Sequence, residues 1–190
     1  MSPAEDSDRA ARDPARRAAA LVELFCPDAA EFGTWAAVDP DGVPEVPRRL
    51  LDHRSHMTVT MEREHGCPMS LRVVAERTSP AEDRYSREIL LVRPDGGIVQ
   101  HGIVRIDLAA LDASTSGAIR QRKMPLGRIL VEAGLLCEVQ HVALLRFHPG
   151  PHLENLFGGT AIEAFGRVAT IDVGGRLAIE LLEIVAPPPA

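Results

Sequence analysis

The stretch YSREILLV at residues 85–92 decides the fold of this chain. Residues 89–92 are four consecutive apolar residues, and a strand with that pattern is buried on both faces. Side chains alternate along a strand, so Arg87 shares a face with Tyr85 and Leu91. The stretch therefore predicts a central strand that carries one guanidinium group on an apolar face.

The guanidinium group of Arg87 needs an anionic partner on that face, because an unpaired buried charge is costly. The partner is either a carboxylate of the protein or a carboxylate of a ligand. Within the chain, the candidates are Asp107 and a glutamate of the last strand. Ion pairs that serve only the structure also place charges in cores, so both alternatives stay open at this point.

The neighbouring segments predict antiparallel hairpins around the central strand. Residues 94–97 (PDGG) are a turn signal, so the apolar run at 98–108 is the antiparallel partner. Upstream, residues 69–73 alternate with a period of two, which predicts a first strand. The chain ends in a second hairpin, in which a Gly-Gly turn joins residues 161–173 to residues 176–185.

The remaining segments favour helices packed against this sheet. Asp13-Pro14 is a helix start, and a second helix is predicted from Pro47 to His65. Pro125 opens a further helix, which is followed by a strand over residues 135–147, and the Pro- and Gly-rich residues 149–159 predict a loop. The sequence thus predicts an α+β fold with a single antiparallel β-sheet.

Composition sets the bounds of the domain. The chain has 190 residues, of which 45% are hydrophobic and 25% are charged, as expected for one globular domain. We assign that domain to residues 13–187. Residues 1–12 have nothing to bury and are predicted to be a disordered N-terminal arm, and residues 188–190 are a short tail.

Charge and cysteine content restrict the partners and the compartment. The net charge of -6 argues against a nucleic-acid partner and against an anionic membrane surface. No apolar run approaches the ~20 residues of a membrane span, and the N-terminus does not have the pattern of a signal peptide. The three cysteines are scattered, which predicts reduced thiols and a cytoplasmic protein.

The spacing of the histidines does not predict a metal site. His53 and His56 are three residues apart on the predicted second helix, but no third ligand accompanies them at a matching spacing. His148 and His152 also have no metal-ligand company in the sequence. We therefore predict neither a metal nor an organic cofactor.

Glu183 is a single carboxylate in an apolar row on the last strand, where Leu181 and Val185 share its face. Burial without a cation would raise its pKa and favour the protonated form, which can donate a proton. The alternative is a salt bridge to an arginine, with Arg87 as one candidate.

Four short blocks resemble the chorismate pyruvate-lyase family and follow that family's order along the chain. The blocks are Ser55-His56-Met57-Thr58, Tyr85-Ser86-Arg87-Glu88-Ile89-Leu90-Leu91, Met124-Pro125-Leu126-Gly127-Arg128, and the hairpin from Phe165-Gly166-Arg167 to Leu182-Glu183-Ile184-Val185-Ala186-Pro187. The resemblance runs from about Leu50 to Pro187. The N-terminal arm and the glycine-rich residues 149–160 depart from the family's pattern, which fits a divergent branch linked to specialised aromatic metabolites.

The resemblance implies an antiparallel sheet whose helices form flaps over an enclosed ligand cavity. It implies that Arg87 binds the ring carboxylate of the substrate and that Met57 and Leu126 form apolar walls. Glu183 would meet the oxygen at the other end of the ring and act with Arg87 in catalysis. Glu180, on the opposite strand face, is the alternative if the final hairpin is aligned without one inserted residue.

The function implied is an enzyme, a carbon–oxygen lyase that eliminates pyruvate from chorismate to give a hydroxybenzoate. One alternative is a different reaction on an aromatic or polyketide-like carboxylate. Another is a non-enzymatic small-molecule sensor, since a related fold serves as the effector domain of some transcription regulators. The first 45 residues show no helix-turn-helix pattern, which favours the enzyme. The product isomer and the oligomeric state stay open.

Overall fold

The computed structural model describes residues 13–79, 83–159 and 161–187. The predicted arm at residues 1–12 and the tail at residues 188–190 lie outside the described residues. Among the described residues, no helix is long and apolar enough to cross a membrane.

Seven strands form one antiparallel sheet, which confirms the predicted fold class. The order across the sheet is β1-β5-β6-β7-β4-β3-β2. The strands are β1 (Gly33–Ala37), β2 (Ser70–Ser79), β3 (Arg84–Val92), β4 (Ile98–Asp107), β5 (Cys137–Pro149), β6 (Ala164–Val173) and β7 (Arg176–Val185). The edge strand β1 was not predicted, because none of its five residues is fully buried and so the sequence shows little apolar alternation there.

In the part of the chain that the structure describes, seven α-helices cover the two faces of the sheet. They are α1 (Pro14–Val22), α2 (Ala29–Phe32), α3 (Glu45–Leu51), α4 (Met57–His65), α5 (Ala113–Arg120), α6 (Leu126–Glu132) and α7 (Pro151–Phe157). Helix α1 begins where the sequence predicts, since the Asp13 side chain accepts a hydrogen bond from the Ala15 N–H at 2.9 Å.

Strand β3 is buried on both faces from Tyr85 to Val92, as its apolar run predicts. Its hairpin partner β4 pairs on its other side with β7, so a row across the sheet contains Ile89, Gly102 and Glu183. Gly102 has no side chain, and the centre of this row is therefore open.

We call the side of the sheet that carries Arg87 the pocket face and the other side the rear face. Helices α3 to α6 pack on the pocket face, where their apolar side chains form two clusters. Helices α1, α2 and α7 pack on the rear face. The cluster on the rear face includes Ala18, Leu21, Val22, Phe32, Ile103, Leu145, Phe147, Leu153, Val168, Leu182 and Ile184.

The helix predicted from Pro47 to His65 is in fact two helices, α3 and α4, separated by residues 52–56. The cause is a buried side chain from a distant strand. Arg167 on β6 donates to the carbonyl oxygens of Leu51 and His53, at 3.2 and 2.7 Å. Carbonyl groups that bind this guanidinium do not continue a helical hydrogen-bond ladder.

Two further local predictions are wrong. The segment 149–159, predicted as a loop, contains helix α7, which starts at Pro151 and ends at Gly158 in a left-handed conformation. His141, expected within the core row of β5, is exposed and has a φ of 48°, at an irregularity where the pairing between β5 and β6 shifts.

Gly33 joins α2 to the edge strand at a place where a side chain has no room. Its φ is 122°, and an added Cβ would lie 2.2 Å from the His148 carbonyl oxygen. We expect Gly33→Ala to lower the free energy of unfolding by roughly 1–3 kcal/mol from backbone strain alone, with the overlap adding to that. Gly66→Ala is the control, since a Cβ at Gly66 meets nothing within 4 Å. Equal losses in urea denaturation would contradict this account.

Candidate functional site

A pocket opens on the pocket face between the sheet and the first turns of α4 and α6. The empty volume of this pocket, including the open space at its mouth, is about 560 Å³. The four residues singled out from the sequence, Arg87, Met57, Leu126 and Glu183, all line it. Their roles toward a ligand are taken up below as proposals.

Arg87 is 1% exposed and has unused hydrogen-bond donors. Among the described residues, its Nε and Nη1 atoms have no hydrogen-bond partner. The internal partners considered above do not bind it, since the Asp107 carboxylate accepts from the Ala109 N–H and Glu183 binds another arginine. Arg87 is therefore a buried cation whose guanidinium group is still available.

The nearest carboxylate to Arg87 across the sheet is already engaged. Glu76 on β2 stands opposite Arg87, but it accepts from the Tyr85 hydroxyl at 2.9 Å and pairs with Arg122 at 2.7 Å. Burial lowers the pKa of Arg87, and the neighbouring Tyr85 and then Glu76 act in the opposite direction. Because the pKa of Arg87 is lowered on balance, its neighbours offset only part of the cost of burying this charge.

Glu183 is not an unpaired carboxyl group. The Arg167 Nε donates to its Oε2 at 2.7 Å, and both side chains are buried. The salt-bridge alternative is therefore right for Glu183, although its partner is Arg167 and not Arg87. The proton-donor interpretation required a buried carboxyl group without a cation beside it, and this ion pair removes that condition.

Glu180, the alternative to Glu183, lies on the rear face of β7. It pairs with Arg105 of β4 at 2.7 Å and is partly exposed. Because adjacent positions on a strand point in opposite directions, only Glu183 of the two lines the pocket.

Arg167 is a pocket residue that the sequence interpretation missed. It is 1% exposed, and besides Glu183 it binds carbonyl oxygens of the segment between α3 and α4, including Ser55 at 3.3 Å. The sequence does indicate this position, because Arg167 shares a strand face with Ala169 and Ile171. Arg87 shares a face with apolar residues of β3 in the same way. Arg167 attaches one wall of the pocket to the sheet.

Gln100 and His56 also line the pocket and were not predicted there. The buried Oε1 of Gln100 has no donor partner among the described residues, and its alternation with Gly102 and Val104 on β4 was the available signal. Burial lowers the pKa of His56, with Glu183 opposing and Arg167 adding to that effect, so its imidazole is neutral near pH 7. An added Cβ on Gly127 would lie 2.9 Å from the Cβ of His56, so α6 approaches this wall closely.

The rest of the lining is apolar. Met57 begins α4 and is 3% exposed, and Leu126 begins α6 and is 9% exposed. The other apolar residues of the lining are Leu71, Ile89, Leu91, Val104, Pro125, Val139, Ile171 and Leu181. The pocket thus has an apolar body with a few polar groups at fixed places.

The histidines at this wall are engaged in local hydrogen bonds. The Nδ1 of His53 accepts from the Ser55 N–H at 3.1 Å, and its Nε2 lies 2.7 Å from the Leu50 carbonyl oxygen. The sequence predicted no other metal-binding side chain near His152, and this prediction is wrong. Helix α7 brings His152 to the rear face of the sheet, beside Glu88 and His101. Sequence spacing could not reveal this, since the three residues come from three separate elements.

Comparison with known proteins gives structural likeness only. No protein-family model and no curated protein matches the chain. PhnF from Mycobacterium smegmatis matches over 70% of this chain at 12% identity, with a TM-score of 0.53, and the chain spans 64% of that protein's length. The effector domain of the same protein matches at 12% identity over 70% of this chain and 88% of its own length, with a TM-score of 0.51.

A third likeness is to the ligand-binding domain of a GntR-family transcriptional regulator from Bordetella bronchiseptica. It covers 63% of this chain and 86% of that domain at 14% identity, with a TM-score of 0.47.

These findings correct the expected enzyme. The two structures with the higher TM-scores are PhnF and its effector domain, and neither is described as a lyase. The pairing of Glu183 with Arg167 agrees with this correction. What the comparison shows is the fold alone: the chain shares the α+β fold with a single antiparallel sheet that is seen in the effector domain of PhnF.

Proposed function

We propose that this domain is a non-catalytic binding domain for a small organic carboxylate, which Arg87 holds in the pocket. One observation carries the proposal: Arg87 lines the pocket and is 1% exposed, and its Nε and Nη1 atoms have no hydrogen-bond partner among the described residues. A buried cation without a partner is unfavourable, so a bound anion would relieve an existing cost.

Carboxylate is the anion that fits this geometry best. The planar fork of arginine binds the two oxygens of a carboxylate in parallel, and such charge-assisted bonds are short and strong. The surrounding side chains of Ile89 and Leu91 exclude water from the pair, which strengthens it. The proposal therefore assigns to Arg87 the orientation of the ligand.

The walls define the body of the ligand. Met57 and Leu126 offer apolar contacts on the helical side, which suits a ring or a similarly flat hydrocarbon. Gln100 Oε1 can accept a hydrogen bond from a hydroxyl group on that ring. The ion pair of Glu183 and Arg167 forms a polar end away from Arg87. A compact cyclic carboxylate with a hydroxyl substituent meets all of these requirements.

The role of such binding is sensing. The effector domains that share this fold support the proposal that ligand occupancy is passed on to a partner. Effector domains of regulators act together with DNA-binding domains, so the expectation that nucleic acid plays no part is not confirmed.

Isothermal titration calorimetry tests the binding with 4-hydroxybenzoate, benzoate and cyclohexanecarboxylate. The matched control ligand is 4-hydroxybenzamide, which has nearly the same shape and no charge. We expect at least one carboxylate to bind, the amide to bind far more weakly, and the ligand to be recovered unchanged by chromatography. Equal binding of acid and amide, or chemical conversion of the bound acid, would count against the proposal.

Arg87→Met should abolish carboxylate binding and stabilise the free protein. Loss of the charge-assisted pair costs about 2–5 kcal/mol of binding free energy. Replacing an unpaired buried charge by an apolar side chain of similar length should raise the free energy of unfolding without ligand, by about 1–4 kcal/mol. Calorimetry and urea denaturation measure the two effects.

Arg105→Met is the matched control, because Arg105 lies on the rear face of β4 and pairs with Glu180. It should leave carboxylate binding unchanged. Arg87→Lys should bind weakly, since an ammonium group does not reproduce the fork. A destabilised Arg87→Met protein with normal affinity would show that Arg87 serves the structure and not the ligand.

The pair of Arg167 and Glu183 should be coupled in stability. Removing one partner leaves a buried charge, so Arg167→Met or Glu183→Gln should each cost about 3–5 kcal/mol of unfolding free energy. The double variant should lose less than the sum of the two. A double-mutant cycle in urea measures this coupling, and strictly additive losses would mean that the two side chains act independently.

A further inference from the structure

A second cluster of polar groups lies on the rear face of β3, next along the chain to Arg87. The Oε1 atom of Glu88 is 2.8 Å from His101 Nε2 and 2.7 Å from His152 Nε2. Glu88 and His101 are 1% and 0% exposed, and the His152 side chain is 28% exposed. The pocket does not include any of the three.

We propose that Glu88, His101 and His152 form a binding site for one divalent transition-metal ion, with Zn²⁺ as the best fit. Two imidazole nitrogens and one carboxylate oxygen are a donor set that binds zinc in proteins. The three donor atoms lie within 4.8 Å of one another, so a single ion can reach all of them. Water can supply a fourth ligand, since the His152 side chain is partly exposed.

The geometry requires only a small adjustment. In a tetrahedral site with bonds of about 2.0–2.1 Å, neighbouring donor atoms are roughly 3.3 Å apart, so each of the two distances from Glu88 to a histidine must lengthen by about half an ångström. Glu88 and His101 are fixed on paired strands, whereas His152 is on α7, a short helix between Gly150 and Gly158. A shift of α7 supplies the adjustment.

The charges also suit a cation. Burial acts to raise the pKa of Glu88, but the hydrogen bonds from His101 and His152 outweigh it and hold that pKa at about 2. Burial lowers the pKa of His101, so this ring is neutral, which is the form that binds metals. Glu88 and then Glu31 raise the pKa of His152 against the effect of burial, so negative charge surrounds that ring.

Aromatic rings fix the two imidazoles in place. Phe32 is stacked on His152 at 6.0 Å between ring centroids and contacts the His101 ring edge-on at 5.7 Å. Phe157 contacts His101 from α7 at 6.5 Å. These rings surround the cluster and hold both Nε2 atoms toward Glu88, while the Nδ1 atom of His101 has no hydrogen-bond partner among the described residues.

The test uses the full chain after treatment with a chelator, with ZnCl₂ and CoCl₂ as the probes. We expect one Zn²⁺ per chain with micromolar or tighter affinity in calorimetry, and a higher melting temperature with Zn²⁺. Co²⁺ should give the visible absorption of a four-coordinate site. Absence of binding by both ions would overturn the proposal and leave the cluster as an internal ion pair.

The deciding variant is His152→Gln, which keeps a hydrogen-bond donor toward Glu88 on a partly exposed helix and should fold normally. It should weaken Zn²⁺ binding by more than about 100-fold, since loss of even an outer partner costs about 10–100-fold. His65→Gln, at an exposed histidine at the end of α4, should bind as the parent does. Equal affinity of the His152→Gln protein and the parent would overturn the proposal. Arg87→Met should retain Zn²⁺, so failure of carboxylate binding leaves this site testable by itself.

Discussion

The ion pair between Arg167 and Glu183 determines the shape of the pocket face. These two residues stand directly opposite each other on β6 and β7, and the remaining donors of Arg167 bind carbonyl oxygens of the segment before α4. One buried side chain thus ends α3, sets the start of α4, and places Met57 against the sheet. A salt bridge and three carbonyl contacts together satisfy a charge that neither could satisfy alone.

Arg87 and Arg167 are the same residue type on the same face, and the difference between them defines the site. Both are 1% exposed. Arg167 has its anion and its carbonyl groups, whereas Arg87 lines the pocket and its Nε and Nη1 atoms have no hydrogen-bond partner among the described residues. The charge of Arg167 is therefore paired, whereas the burial of Arg87 is unfavourable without an anion beside it. This difference supports the proposal that Arg87 binds a ligand.

Much of the fold could be predicted from the sequence, because strands of period two and Gly-rich turns are local signals. The same alternation put Arg87 on an apolar face and separated Glu183 from Glu180. The break between α3 and α4 could not be predicted, since it depends on Arg167, more than a hundred positions away. The cluster at His152 was missed for a similar reason, and the resemblance to a lyase family could not distinguish an enzyme from a binding domain on one scaffold.

Arg87 and Glu88 are consecutive residues with opposite charges on opposite faces of one strand. Sliding β3 by a single position against its neighbours would put the carboxylate into the apolar pocket and the guanidinium group against two histidines. Unfavourable contacts on both faces of the sheet would then disfavour this shifted register. In an apolar strand, where neighbouring registers bury similar area, this pair of charges therefore favours the observed pairing of β3 with β2 and β4.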